Sequence, residues 1–300
     1  MKIFITFCFV ALVGNLFAQQ DPQYTQYMYN MNVINPAYSG SKEGISSGLL
    51  YRSQWRGIEG APQTGTFFVH SPIGNKLGLG LSIINDQIGP VEETNLYTDF
   101  SYTLKLGSKH HLAFGIKAGA TFHDIGLARL DLIDSNDIFF QNISSVTPNI
   151  GAGVFYYSEN HFLAASVPNI LSAVHLDANG NKLGSEQAHY FITGGYVFEY
   201  GEMAKLKPSF LVKSSFGSTT SFDLNLNALF YDKFEVGGSY RLGDSFSALI
   251  NITIAKGFRI GYAYDAVTSD IKRYAPASHE ILILLDLTFT RKVSRSPRYF

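Results

Sequence analysis

The sequence predicts an all-β protein: a transmembrane antiparallel β-barrel of about 14 strands, with an N-terminal segment that lies in the periplasm or in the lumen. Runs of about ten residues alternate apolar and polar side chains, as expected of strands that face lipid on one side and a polar interior on the other. Charged residues make up only 16% of the chain, below the roughly 25% of soluble domains, whereas hydrophobic residues make up 46%. The apolar run at residues 3–13 is too short to span a bilayer as a helix, and no later run reaches the roughly 18 consecutive apolar residues of a transmembrane helix.

The first eighteen residues are arranged like a secretory signal peptide. Lys2 gives a positive start, residues 3–13 form a short apolar core, and Ala18 ends a small-residue cleavage site before Gln19. We therefore expect Sec-type export, signal cleavage and a final location in the cell outer membrane. The single cysteine, Cys8, would leave with the signal, so the mature chain would have no disulfide and no thiolate metal site.

The strands follow one another along the chain with a period of two. In "FDLNLNA" (222–228), Phe222, Leu224 and Leu226 alternate with acidic and amide side chains that prefer water. A secreted β-sandwich would alternate in the same way, but its wet face normally carries more Lys and Glu, so the barrel is favoured. The predicted strands are 45–56, 63–72, 75–87, 93–106, 109–124, 146–158, 160–168, 188–200, 204–216, 219–231, 233–242, 244–255, 257–265 and 278–290.

The lengths of the connections support an even strand number. The three long connections, 125–145, 169–187 and 266–277, all fall at odd-numbered positions, whereas every even-numbered connection is short. Outer-membrane barrels have longer outer loops and short periplasmic turns, so both chain ends are predicted on the periplasmic side. The predicted organisation is a signal peptide at 1–18, an N-terminal segment at 19–44, a barrel at 45–290 and a periplasmic C-terminal tail at 291–300.

The N-terminal segment is rich in Tyr, Gln and Asn and almost uncharged. Tyrosines of this kind suit a half-wet surface because each has a large apolar face and one hydroxyl. Asn35 should be extended because it precedes a proline. We expect the segment to plug the lumen, to dock onto a partner, or to do both. The candidate residues are Asp21, Pro22, Gln23, Tyr24, Tyr27, Asn35, Pro36, Ala37, Tyr38 and Gly40.

The end of the first predicted strand supplies candidate rim residues. Trp55 and Arg56 are predicted at the barrel rim, either as ordinary interfacial anchors or as a rim charge beside an aromatic girdle. Arg52 and Gln54 share one strand face with Arg56. They are assigned to the lumen, because an unpaired Arg facing lipid at mid-depth would cost about 2–4 kcal/mol.

Two motifs carry a resemblance to a known family. "QDPQYTQYMYNMNVINPAYSGS" (20–41), followed by "YRSQWRGIEGAP" (51–62), resembles the opening of the PorP/SprF family, outer-membrane components of the Bacteroidetes type IX secretion system. Further similar runs follow in the same order: "GLGLSIINDQIG" (78–89), "ASVPNIL" (165–171), "FRIGYAYD" (258–265), "SHEILILLDLTF" (278–289) and "SPRYF" (296–300).

The resemblance implies a barrel that assists export or anchors secreted proteins such as gliding adhesins at the cell surface. It also implies partners: outer-membrane lipid, the exported protein, and the periplasmic ring and peptidoglycan-linked subunits of the machine. No enzymatic activity, cofactor or metal site is expected, since the sequence has no P-loop and no G-x-S-x-G motif at a strand-to-helix turn. A formal charge of −1, or −2 once Lys2 leaves with the signal, gives no basic surface for nucleic acid.

The alternative function is a porin or a hydrophobic-solute transporter. An open porin would need charged ladders along its lumen, whereas the inward positions of this sequence are interpreted as mostly small or neutral. Five leucines are also predicted on the inner face, which favours a filled interior: Leu211, Leu229, Leu249, Leu282 and Leu284.

Two loop runs contain several possible oxygen ligands for calcium. "LDLIDSNDIFF" (130–140) places Asp131, Asp134 and Asp137 close together, and "DANGNKLG" (177–184) alternates Asp and Asn. Neither has the spacing of a calcium loop, so both are interpreted as solvated outer loops.

Overall fold

The computed structural model describes residues 23–126, 143–171, 174–178, 181–185, 188–215, 219–275 and 277–288. The predicted signal peptide and C-terminal tail lie outside these ranges, as do the candidate residues Asp21, Pro22, Asp131, Asp134 and Asp137.

Within these ranges the main element is a barrel of fourteen strands. One of them, β8, is interrupted at Val197 and continues as Phe198–Tyr200. The strands are β1 (Gly44–Ser53), β2 (Gln63–Ile73), β3 (Leu77–Ile88), β4 (Val91–Leu106), β5 (His110–Ile125), β6 (Ile143–Tyr157), β7 (His161–Val167), β8 (His189–Tyr196), β9 (Ala204–Ser215), β10 (Ser221–Phe230), β11 (Phe234–Arg241), β12 (Ser245–Ala255), β13 (Phe258–Val267) and β14 (Ala277–Thr288).

Every strand pairs antiparallel with the next one along the chain, as in β1–β2, β8–β9 and β13–β14. The ring closes because β1 also pairs with β14, from Gly44 opposite Thr288 to Ser53 opposite His279. The predicted fold class and the strand number are therefore confirmed. The β1–β14 pairing leaves neither of these two strands as a free edge of an open sheet.

The period-two pattern decides which side chains face outward. On β10, Leu224 and Leu226 are about half exposed, whereas Asp223 and Asn225, which alternate with them, are buried. On β14, Ile281 and Ile283 are exposed, and Leu282 between them is completely buried. The outer surface is thus a continuous apolar band, as lipid requires, and the polar residues lie inside.

The connections divide between the two ends of the barrel as predicted. The four longest, at 54–62, 126–142, 168–188 and 268–276, lie at the end where odd-numbered strands finish, which we call the long-loop end. The opposite end carries turns such as 256–257 and is called the short-turn end. β1 starts and β14 finishes at the short-turn end, since Gly44 and Thr288 are paired.

Most predicted strand ends agree with the structure within two residues, and the end of β1, which differs by three, is an instructive exception. It finishes at Ser53 rather than at residue 56, so Trp55 and Arg56 lie in the following loop. Trp55 adopts a positive φ of 49°, which no strand residue has, and its N–H donates to Ser278 Oγ. The interpretation that Arg56 shares a lumen face with Arg52 is therefore wrong, and Arg56 is exposed.

The β7–β8 connection contains a hairpin, Val174–Ala178 with Asn181–Ser185, which forms a two-stranded sheet separate from the barrel. The "DANGNKLG" run belongs to this hairpin, and its Asn179 and Gly180 lie outside the described residues. Among the helices of the described ranges, none has the length and apolar character needed to cross a bilayer.

Candidate functional site

The most distinctive site is the barrel interior, which contains residues 24–41. We call this stretch the lumen segment. Every residue in it is buried. It folds into three short turns of helix, Tyr27–Tyr29, Met31–Ile34 and Pro36–Tyr38, rather than one regular element. Short turns leave many main-chain groups unpaired, and the inward-facing side chains of the barrel supply partners for several of them.

The lumen segment begins at the long-loop end of the barrel. Gln23 donates to the hydroxyl of Ser221, the first residue of β10. Next to it, the backbone N–H groups of Thr25 and Gln26 donate to the two carboxylate oxygens of Glu280, at 2.9 and 2.8 Å. The Thr25 hydroxyl lies 2.7 Å from Asp265 Oδ1. Two carboxylates on β13 and β14 therefore hold the first turn of the segment.

Arg52 neutralises these two carboxylates. Its Nη1 lies 2.7 Å from Asp265 Oδ2 and 3.2 Å from Glu280 Oε2, and all three side chains are at most 3% exposed. The same Nη1 is 3.1 Å from the Thr25 hydroxyl. A buried carboxylate is costly unless it is paired and hydrogen-bonded, so Arg52, Asp265 and Glu280 form one unit with the segment. The lumen assignment of Arg52 agrees with this geometry.

The middle of the segment crosses the lumen next to β10 and β11. Asn225 Nδ2 donates to the Tyr27 hydroxyl at 3.0 Å. Tyr29 donates its hydroxyl to Glu235, near the start of β11. The Tyr29 ring lies 5.2 Å from Lys207 Nζ and 5.6 Å from the guanidinium carbon of Arg259, within the range of cation–π attraction. This tyrosine is thus held by both its ring and its hydroxyl.

The second half of the segment contacts β4 to β7. Lys117 pairs with Asp99 at 2.8 Å and also lies 3.3 Å from the carbonyl oxygen of Asn32. Ser166 donates to the carbonyl of Ile34 at 2.7 Å. Backbone carbonyls at the ends of short helical turns need such donors, since they have none within the turn.

The Asn35–Pro36 step anchors the final turn. Asn35 is extended (φ −141°, ψ 108°), as the following proline requires. Its Oδ1 accepts from Ala37 N at 2.9 Å and its Nδ2 donates to the Val154 carbonyl at 3.1 Å. The side chain therefore caps the Pro36–Tyr38 turn and ties it to β6.

Glycines in the wall make room for the segment. A Cβ on Gly115 would lie 2.1 Å from Ala37 N, and one on Gly153 would lie 2.1 Å from Asn35 Oδ1. A Cβ on Gly78 would lie 2.1 Å from the Ser39 carbonyl oxygen. Real Cβ atoms do not approach other atoms so closely, so at these positions the wall is shaped to the backbone of the segment.

The segment leaves the lumen at the short-turn end. Gly40, at φ +76°, donates its N–H to His70 Nδ1 at 3.2 Å, and Lys42 pairs with Asp286 at 3.2 Å just before β1 begins. The chain therefore crosses the whole interior between Gln23 and Lys42. Of the two predicted locations, the periplasm and the lumen, residues 24–41 occupy the lumen, and Gln23 lies at the long-loop end, opposite to the end where β1 begins.

The interior also contains more charge than the sequence analysis indicated. Several ionisable side chains from different strands are buried: Arg52, Asp99, Lys117, Lys207, Asp223, Glu235, Arg241, Asp265 and Glu280. Most buried positions are still small or neutral, as predicted, but the sequence analysis did not anticipate this set of buried charges. Each strand contributes only one or two of these charges, and only closure of the ring brings them into pairs. The five predicted inward leucines are buried as expected.

Some buried amides of the interior bind no described group. Within the described residues, no partner reaches the side-chain nitrogen or oxygen of Gln26, Asn30, Asn32 or Asn251. Buried amides in such surroundings usually bind ordered water. We conclude that specific attachment of the segment rests on its other polar residues and on its fit to the glycines.

The candidate residues divide into two groups. Asn35, Pro36, Ala37, Tyr38 and Gly40 lie together between β2, β4, β5 and β6, whereas Gln23, Tyr24 and Tyr27 lie toward β2 and β10. Sequence reasoning missed Thr25 and Ser39. A signal that could have indicated these contacts is the set of charged residues at inward strand positions, because each buried charge needs a partner.

The two predicted rim residues lie at the long-loop mouth. Trp55 is half-buried and, with Gln23, His189, Lys213 and Arg241, lines a cavity of about 330 Å³. Arg241 is held by a two-pronged pair with Asp223, with nitrogen–oxygen distances of 2.9 and 2.8 Å. Across the described ranges, no three His, Cys, Asp or Glu side chains come together as metal ligands.

Comparison with solved structures shows the fold. The toluene transporter TbuX of Ralstonia pickettii matches with a TM-score of 0.53 and 11% identity, over 84% of this chain and 92% of that chain. The monoaromatic hydrocarbon channel CymD matches with a TM-score of 0.50 and 11% identity, over 88% of this chain and 99% of that chain. At this identity the likeness concerns architecture alone.

Comparison with proteins of curated function found no match. The sequence model of the family described as type IX secretion system membrane protein PorP/SprF matches residues 16–285. That span includes the lumen segment and almost the whole barrel, and it confirms the resemblance carried by the N-terminal motifs. The chain therefore belongs to the PorP/SprF family of type IX secretion system membrane proteins.

Proposed function

We propose that the protein is a non-catalytic outer-membrane component of the type IX secretion system, which assists export or anchors secreted proteins such as adhesins at the cell surface. The observation that carries the proposal is the lumen segment. It is buried throughout and hydrogen-bonded to several strands of the barrel, which supports a filled interior that acts as a scaffold. Such a barrel offers its two ends for docking.

The two ends suit different partners. In the proposed orientation the short-turn end faces the periplasm and meets the ring and peptidoglycan-linked subunits of the machine. The long-loop end then faces outward and meets the exported protein. The apolar band, with exposed aromatic residues such as Tyr102, Tyr196, Tyr262 and Tyr264, contacts outer-membrane lipid.

A hydrophobic-solute transporter is the alternative, because both solved neighbours are described as carrying aromatic hydrocarbons. A diffusive path through this barrel would need the lumen segment to leave. That step would expose the buried carboxylates and lysines with which the segment is in contact, such as Glu280 and Lys117. Glu280 would lose the two hydrogen bonds that it accepts from the backbone of Thr25 and Gln26, and this loss disfavours a freely open channel.

Deleting residues 21–40 tests the proposal. The barrel strands remain intact in this variant, so we expect it to insert into the outer membrane and to show large, stable conductance in planar bilayers, whereas the wild type stays silent. Export or surface anchoring in cells should be lost. Gly65→Ala serves as the control, because a Cβ there meets no atom within 4 Å.

Two results would overturn the proposal. Normal export by the deletion variant would remove the role of the segment. Large stable channels formed by the wild-type protein would favour the transporter.

A further inference from the structure

β6 is paired unequally on its two sides. It pairs with β5 over its whole length, from Ile143, opposite Ile125, to Tyr157, opposite His111. On its other side, it pairs with β7 only between residues 152 and 157, because β7 is just seven residues long. Above that level Ile170 N donates to the Ile150 carbonyl at 2.9 Å. Within the described residues, no strand pairs with β6 at residues 143–148 on this side.

The main-chain groups that point to this open side follow from the ladder. Residues of an antiparallel strand direct their N–H and C=O alternately to one neighbour and to the other. The Ile150 carbonyl points away from β5, since Ile170 N reaches it. Ser144, Val146 and Pro148 have the same parity. Five groups are therefore available at the edge: the N–H and C=O of Ser144 and Val146, and the C=O of Pro148.

The open edge lies above the hydrocarbon layer. A membrane strand needs about 9–11 residues. A membrane-spanning length counted from Tyr157, at the short-turn end, reaches to about residue 148. Residues 144–147 therefore lie beyond the hydrocarbon layer. Outward-facing Asp124 pairs opposite Ser144, and exposed Glu92 lies opposite Asp124 on β4, so carboxylates surround this level. Unpaired main-chain groups are costly in lipid but are tolerated in water.

Residues 144–147 lack the features that usually block strand addition. Natural edges are protected by charged side chains, prolines, inward-pointing charges or bulges, and here a proline occurs only at position 148. Residues 144–147 are Ser, Ser, Val and Thr, and Val146 is 61% exposed. Pro148 has no backbone N–H, so the pairing of an added strand with β6 would end at this residue. Four residues at about 3.3 Å each leave an edge of about 13 Å, enough for a short strand.

We propose that residues 144–148 of β6 form a strand-addition site for an extended segment of a partner polypeptide with basic side chains on its outward face. The added strand would run antiparallel to β6 and receive main-chain hydrogen bonds from Ser144 and Val146. Its outward side chains would lie about 10 Å from Asp124, which is about one screening length at physiological salt. The identity of the partner as the exported protein rests on the proposed function, but the edge itself does not.

The test uses purified full-length protein in detergent micelles and a fluorescein-labelled seven-residue peptide in which Lys alternates with Val and Thr. Fluorescence anisotropy should show binding. Hydrogen exchange should show that the amides of Ser144 and Val146 exchange fast without the peptide and slowly with it. The same peptide N-methylated along one edge, or with Glu in place of Lys, should bind at least about tenfold more weakly.

Matched variants locate the site. Val146→Pro removes an edge N–H that the β5 ladder does not use, so the barrel should still fold and peptide affinity should fall about tenfold. Val146→Thr keeps the N–H and should bind as the wild type does. Asp124→Asn should weaken the Lys peptide and leave a Ser-substituted peptide unaffected.

Slow exchange at Ser144 and Val146 in the absence of peptide would overturn the proposal, because another part of the chain would then cover the edge. Absence of peptide binding, or equal binding by the Val146→Pro variant, would also overturn it. Neither result depends on export, so the two proposals can fail separately. Normal export by the 21–40 deletion variant would contradict the proposed function but not the strand-addition site. Failure of the peptide to bind would contradict the strand-addition site but not the proposed function.

Discussion

Gly115→Ala tests whether the wall of the barrel is shaped to hold the lumen segment. A Cβ at this position would lie 2.1 Å from Ala37 N and 2.4 Å from Pro36 C. Comfortable contacts between such atoms are about 3.5 Å, so the backbone of the segment has to move by about 1.4 Å. Backbone atoms cannot rotate away as the end of a side chain can. The substitution therefore displaces the Pro36–Tyr38 turn, which Asn35 ties to β6.

The size of the effect follows from known costs of overpacking. Extra atoms in a well-packed interior cost about 1–3 kcal/mol. At about 1.4 kcal/mol per factor of ten, the fraction of molecules with a displaced segment should rise about 5- to 150-fold. The strands on both sides of Gly115 keep their hydrogen bonds, so the loss should concentrate in the lumen segment.

Amide hydrogen exchange of residues 24–41 in detergent micelles measures this fraction directly. Exchange in the Gly115→Ala protein should be faster by the same factor, while the amides of β1 and β14 keep their wild-type rates. Gly65→Ala is the matched control, because a Cβ there meets nothing within 4 Å. If the two variants exchanged alike across the lumen segment, the idea of a shaped wall would be refuted.

Other changes probe the individual attachments. Arg52→Met should lower the free energy of unfolding by about 3–5 kcal/mol in thermal denaturation, because two buried carboxylates lose their counter-charge. The control is Lys205→Met, which breaks the exposed pair with Asp232 at the same 2.7 Å separation and should cost less than about 1 kcal/mol. Asn35→Ala should cost about 0.5–2 kcal/mol through loss of the cap, seen as faster exchange at the Ala37 amide, and an unchanged rate would contradict the capping role. Tyr29→Phe should destabilise less than Tyr29→Leu in the same melting assay, because only the phenylalanine keeps the ring between two cations; equal losses would assign the whole effect to the hydroxyl.

The strands were predictable because the information for each one is local. Alternation in a run such as 222–228 shows both that a strand forms and which side chains face lipid. The positions of the long connections then establish the even strand number. The end of β1 was misplaced because Trp55 is aromatic, as strand residues often are, while its positive φ is imposed by the hydrogen bond to Ser278 more than two hundred positions away.

The candidate site was only partly predictable. Composition and the Asn35–Pro36 step marked the N-terminal segment as unusual, and its tyrosines indicated a half-wet environment. Its path from one end of the lumen to the other was not readable, since it depends on groups such as Glu280 and Lys117 that lie far away in the sequence. The buried charge pairs were missed for the same reason: isolated charges on separate strands give no sign of pairing until the strands form a ring.

The sequence by itself determined that this chain is a fourteen-stranded barrel, because side-chain alternation and turn spacing act over neighbouring residues. Only the tertiary structure decided what fills the barrel, which charges pair and where β6 has no strand partner among the described residues on one side. Those features depend on the register and relative length of strands brought together by closure, so they are properties of the ring and not of any single segment.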